Sequence, residues 1–223
     1  MPCNYLLNFQ LPINIAQQNP CYDMFVGQLS NGVYTANAQR YQNPDLYAID
    51  YQSGGVIYDL NNSKAFRNEI LLCIIESPHR DEFSIRGPAN LGYAAMGQTG
   101  RVFDRNFYTK LLQNHGNIAT GTYDVVLLNS VQFQCSDGLR PLNKTVRDGN
   151  WNCMINDNQV YDDLLRRIES LNPQYIINLC TKGNINLQLI LHTKLLTDNV
   201  LRGTNFTHGW HPSSWYNSNS NIH

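Results

Sequence analysis

Three largely apolar runs constrain this chain more than any other feature. They are "EILLCIIE" (69–76), "YDVVLLNSVQF" (123–133) and "QYIINLCTKG" (174–183). A strand that is apolar at nearly every position has no face to offer water, so it must lie inside a sheet covered on both sides. The intervening segments have helical spacing instead. "RVFDRNFYTKLLQNHG" (101–116) ends on a glycine. "NQVYDDLLRRIESLNP" (158–173) puts Val160, Leu164, Leu165, Ile168 and Leu171 on one side and stops at Asn-Pro. "INLQLILHTKLL" (185–196) is a further helix, and "NFTHGWHPSSW" (205–215) begins as a fourth short strand. Alternation of this kind predicts an α/β fold, a three-layer α/β/α sandwich around a short, mainly parallel sheet. Residues 1–65, rich in Gln, Asn and Tyr with turn signals in "SNGVY" and "QSGGVIYDL", read as an N-terminal elaboration packed on the core. Residues 66–216 form the α/β domain and 217–223 a polar tail.

Charge narrows the classes of partner. With 16 basic and 17 acidic residues the chain is close to neutral, so any phosphate-binding surface must be a local patch. There is no apolar run of membrane-spanning length, and the N-terminus lacks the basic start and apolar core of a signal peptide. Both point to a cytoplasmic protein with no membrane partner. The six cysteines form no C-x-x-C pair and read as reduced.

In a mainly parallel sheet, ligands bind beyond the carboxyl ends of the strands. The residues there are Glu76-Ser77-Pro78-His79, Asn129-Ser130, Thr181-Lys182-Gly183 and His211-Pro212-Ser213-Ser214. Glu76 is either a solvated strand-end acid or a carboxylate at a pocket mouth, and the other rim residues favour the pocket. Asn129 interrupts an apolar strand, where an amide must find partners; it caps a turn or recognises a ligand. His208 and His211 have H-x-x-H spacing but no accompanying Cys or acid pair, so no metal is expected. "RPLNKTVRDGN" (140–150) reads as a loop carrying Arg140, Lys144 and Arg147, either solvated or a local phosphate patch. Neither a G-x-S-x-G elbow nor a phosphate-binding P-loop is found.

Several of these segments, in order, resemble the uracil-DNA glycosylase superfamily. "LLCIIESPHRDEF" is similar to its first motif, G-Q-D-P-Y-H or, in other branches, G-E-A-P-G. "FDRNFYTKLLQN" resembles the following helix, and "DVVLLNSVQF" the strand V-L-L-L-N-A-V. "QYIINLCTKG" resembles the strand ending L-W-G, and "HPSSW" the terminal H-P-S-P-L. The resemblance covers roughly residues 68 to 216.

The resemblance implies a monomeric DNA glycosylase that needs no cofactor. Such an enzyme hydrolyses the N-glycosidic bond of a flipped pyrimidine and leaves an abasic site. His211 would stabilise charge on the departing base, and Glu76 would position water and favour the cationic sugar. Asn129 would read the pyrimidine edge, with Phe83 or Phe133 stacking on it. Ser213 and Ser214 would hold a phosphate. Trp215, with Tyr216 beside it, falls where the family places its intercalating wedge. Two positions depart from the pattern. Ser77 stands where the first form has Asp, so either Glu76 takes the acidic role or Asp81, Glu82 or Asp104 reaches in. His79 stands where a Tyr crowds the pyrimidine C5 position. A changed wall there suits a pyrimidine with a bulky C5 group, such as glucosylated hydroxymethylcytosine in phage DNA, in an anti-phage role. Uracil removal in repair is the alternative. Further alternatives are a binding module of the same fold without catalysis and a nucleoside or nucleotide N-glycosidase.

Overall fold

The computed structural model describes residues 20–52, 55–79, 82–83, 92–110, 118, 121–135, 143–198, 201 and 204–215. Eleven strands run in chain order: β1 (Cys21–Tyr22), β2 (Met24–Ser30), β3 (Val33–Ala36), β4 (Ile49–Gln52), β5 (Gly55–Tyr58), β6 (Lys64–Ala65), β7 (Glu69–Ile75), β8 (Gly92–Tyr93), β9 (Thr122–Asn129), β10 (Tyr175–Asn178) and β11 (Asn205–His208). Among the described residues, four α-helices accompany them: α1 (Gln98–Lys110), α2 (Lys144–Ile155), α3 (Asn158–Leu171) and α4 (Leu187–Thr197).

The central sheet has the order β11-β10-β7-β9-β2-β3. The pairs β11–β10, β10–β7 and β7–β9 are parallel; β9–β2 and β2–β3 are antiparallel. The predicted α/β character and mainly parallel sheet are therefore present. The apolar runs explain the arrangement: six of the seven residues of β7 and seven of the eight of β9 are buried, as strands covered on both faces must be. Alternate residues feed two apolar clusters. Leu71, Cys73 and Ile75 join Val102, Phe103 and Phe107 of α1. Leu72 and Ile74 join Trp151 of α2, Ile168 of α3 and Leu191 of α4.

Local signals set the ends of the elements. Asn31 and Gly32, both with positive φ (48° and 77°), join β2 to β3, as a two-residue hairpin requires. The Asp157 side chain accepts from the backbone N–H groups of Gln159 and Val160 at the start of α3, and Asn172 ends it in the left-handed region.

Three sequence expectations need correction. Residues 20–65 are not an addition packed onto a finished core. β2 pairs with β9 along its length and brings β3 with it, so a third of the central sheet comes from this region. The segment read as a loop over 140–150 is helical from Lys144: Asn143 caps it through Val146 N–H at 3.2 Å, and burial of Trp151 and Ile155 anchors it despite Gly149. Cys21, Cys73, Cys135 and Cys180 are free and buried, but Cys153, half-buried on α2 and outside any apolar strand, is disulfide-bonded. Among the described residues, no helix is long and apolar enough to cross a membrane.

Candidate active site

Glu76 follows β7, a central strand with a parallel partner on each side. Its backbone carbonyl accepts from Val131 N–H (3.0 Å), the Ser130 hydroxyl (2.7 Å) and the indole N–H of Trp151 (3.0 Å). Three donors on one carbonyl fix the peptide and with it the direction of the side chain. The side chain is 9 % exposed. Its Oε2 accepts from the backbone N–H of Thr181, just beyond β10, at 3.2 Å, and lies 3.3 Å from His211 Nε2. Its Oε1 lies 3.8 Å from Nη1 of Arg147.

His211 begins a short 3-10 turn and caps it: its Nδ1 accepts from the Ser213 backbone N–H at 3.2 Å, with the Ser213 hydroxyl at 2.7 Å. A ring nitrogen that accepts from an amide holds a lone pair, so the neutral ring carries its proton on Nε2, facing Glu76. Burial pushes the imidazole below its ordinary value of 6.5. The Glu76 carboxylate opposes this and Arg147 adds to it. The pair is thus a neutral N–H donor against a carboxylate.

The sequence left Arg147 either solvated or on a local phosphate patch, but it points inward from α2 and is only 8 % exposed. Its Nε and Nη2 donate to Asp148 Oδ1 at 2.8 and 2.6 Å, and Asp148 Oδ2 accepts from the backbone N–H of Asn184. A buried guanidinium is stable only when paired, and here Asp148 and Glu76 supply the countercharge. The loop after β10 is pressed onto this pair. Gly183 has φ +57°, and a Cβ there would lie 2.4 Å from Asp148 Oδ2. Arg147 and Asp148 therefore hold both Glu76 and the loop that delivers Thr181 N–H to it. Asp148 carried no sequence signal, because it sits in a polar helix without apolar periodicity.

No family model matches the chain, and no curated protein matches it either.

Asn129 ends β9 beside Ile75 but is fully buried. It does not join Glu76 and His211. Its Nδ2 donates toward Cys21 Sγ at 3.5 Å, within the other apolar cluster, and its Oδ1 has no hydrogen-bond partner. Its backbone is clamped as well: its N–H donates to Asp23 Oδ1 (3.2 Å), and its carbonyl accepts from Nη1 and Nη2 of Arg167 (3.1 Å each). Arg167 also pairs with Asp23 and Asp163 at 2.8 Å.

The other expected residues fall in several places. Ser77 is half-buried. Glu82 accepts from Ala95 N–H. Asp104 pairs with Arg40 and accepts from Tyr41, so it is engaged elsewhere. His79 and Lys144 are exposed. Phe83 packs on Gly92 and the first cluster, and Phe133 on the second. The Ser214 hydroxyl donates to the His211 carbonyl at 2.7 Å. Asp81, Arg140 and Tyr216 lie outside the described residues.

The expectation for Trp215 is overturned. It is 2 % exposed and stacks on Phe103 of α1 at 5.8 Å between ring centroids. A ring already in the core cannot enter a base stack. Its indole N–H donates to the Trp210 carbonyl at 2.9 Å, tying down the segment that carries His211. A pocket of about 260 Å³ opens beside His211, between the ends of β10 and β11, lined by Thr181, Lys182, His208, Trp210, Ser213 and Ser214 among others.

Proposed function

We propose that this protein is a DNA glycosylase of the uracil-DNA glycosylase superfamily, with its three-layer α/β/α arrangement. It acts on a flipped pyrimidine, with a C5-modified cytosine such as glucosylated hydroxymethylcytosine as substrate. The observation that carries this reading is the His211 imidazole, its Nε2 3.3 Å from the Glu76 side chain, at the carboxyl ends of parallel strands and beside an open pocket.

Cleavage of the N-glycosidic bond sends its electron pair to the base and leaves positive charge on the sugar. His211 Nε2–H, turned from Glu76 to a carbonyl oxygen of the base, stabilises the departing anion without first losing a proton. The Glu76 carboxylate stabilises the cationic sugar and accepts a proton from the water that adds to C1′. That proton passes to the base, and the products are free base and an abasic site.

Two observations favour a second reading, a nucleic-acid-binding module without catalysis. Ser77 occupies the position of an acid, and Asn129 is sealed from solvent. Mass spectrometry of bases released from uracil-containing duplexes and from glucosylated phage DNA separates the two. Release of a modified base, lowered about a hundredfold or more by His211→Ala and by Glu76→Gln, is the expected result. Tight binding with no base released from any substrate would establish the binding module instead.

A further inference from the structure

With Trp215 in the core, the exposed aromatic chemistry of this segment falls to Trp210. Its ring is half-buried, lines the pocket beside His211, and has the ammonium of Lys182 4.8 Å from its centroid. Among the described residues no carboxylate pairs with that ammonium, so its charge is available to an anion. Thr181 Oγ1 is buried at the same pocket without a hydrogen-bond partner, and an unsatisfied hydroxyl there costs free energy until a ligand meets it. The Ser213 hydroxyl adds a further polar contact at the mouth.

An indole face, an ammonium without a carboxylate partner and one unsatisfied hydroxyl together match one ligand class, an aromatic base linked to a phosphate. Stacking on an indole accepts any base, and the lysine follows the phosphate. The volume of about 260 Å³ suits one such unit and not a longer segment.

We propose that this pocket binds one nucleotide of a single strand, its base against Trp210 and its phosphate on Lys182, next to the nucleotide presented to His211 and Glu76. The assignment rests on the glycosylase reading for the identity of that neighbour, but not for binding itself. It makes Trp210 a strand-holding residue, sequence-tolerant by its chemistry.

The chain has three tryptophans, and Trp151 and Trp215 are buried, so Trp210 is the one a ligand can reach directly. Titration with a short unmodified oligothymidylate should quench tryptophan emission, and Trp210→Phe should abolish the quench. Trp210→Ala should weaken binding about tenfold or more. Lys182→Ala, a substitution of an exposed side chain, should lower the salt dependence of binding by roughly 0.7 in log–log slope. Thymidine 5′-monophosphate should compete, and inorganic phosphate alone should compete only weakly. If Lys182→Ala and Trp210→Ala both bind the oligonucleotide as wild type does, the assignment is overturned. Base release from modified DNA with both variants fully active would sink this inference while leaving the glycosylase standing. Quenching with no base released from any substrate would do the reverse.

Discussion

The two ends of the parallel strands on either side of β7 are built in opposite ways. At the β9 end, Asn129 is closed in by Cys21, Asp23 and Arg167, each 0–1 % exposed, and every charge there is spent on structure. At the β10–β11 end, a pocket stays open and His211 and Glu76 face each other at its edge. Both ends are polar, but only one leaves polar atoms where a ligand can reach them. Burial among paired charges closes one end; partial exposure beside a pocket leaves the other open to a ligand.

The strongest way to break this contrast is to open the closed end. Arg167→Met leaves Asp23 buried without its cation, and burial already pushes that carboxyl above the usual carboxylate range. The variant should lose about 3–5 kcal/mol in urea unfolding; a loss under about 1 kcal/mol would show that the network is not holding the β9 end. Trp215→Ala should cost about 3–5 kcal/mol as well, because a large buried ring leaves a cavity against Phe103. Its effect should fall on thermal stability, with equal activity loss on duplex and single-stranded DNA; a loss confined to duplex would restore Trp215 as a wedge.

At the open end the expected effects are smaller and depend on pH. Burial favours the neutral His211 ring, so the folded protein takes up its proton below pH 6.5, the ordinary value. Above 6.5 both folded and unfolded chains are neutral at this site. Between 6.5 and the lower folded value only the unfolded chain binds the proton, so stability falls as pH drops through that window. Base release should show its acid limb in the same window. Arg147→Met removes a cation that holds the ring neutral while Glu76 remains, so the limb should move to higher pH, and NMR titration of His211 should move with it. A limb that stays in place would separate Arg147 from the charge state of the site. Gly183→Ala should have the smallest effect, about 1–2 kcal/mol, from a left-handed backbone and a Cβ crowding Asp148. Its activity should fall through displacement of Thr181, measurable as reduced turnover at unchanged substrate affinity.

How much of this was legible in the sequence differs between the same two ends. The apolar runs gave the strands, and the polar residues that break them gave Glu76 and His211, because a parallel sheet puts such residues on one rim. The Asn-Gly hairpin was readable from its two residues. Arg147 and Asp148 were not, because α2 is held by a few buried side chains and an Asn cap, without a repeating apolar stripe. Trp215 misled because its neighbours in sequence are polar, while its partner Phe103 lies on a helix distant in the chain. The role of β2 was hidden for a similar reason: a strand's partner in a sheet is a long-range fact, and β9 follows it by almost a hundred residues.

The carbonyl of Glu76 has one further consequence. One of its three donors is the indole N–H of Trp151, and a second indole N–H, that of Trp215, ends on the carbonyl of Trp210. Both ring protons lie away from the ligand space, and each is bonded to the peptide of a residue that faces it. Their two resonances in a proton–nitrogen spectrum are therefore native reporters, one for the carboxylate and one for the pocket wall. Movement of either peptide on ligand entry can be followed at both places, without altering an atom of the protein.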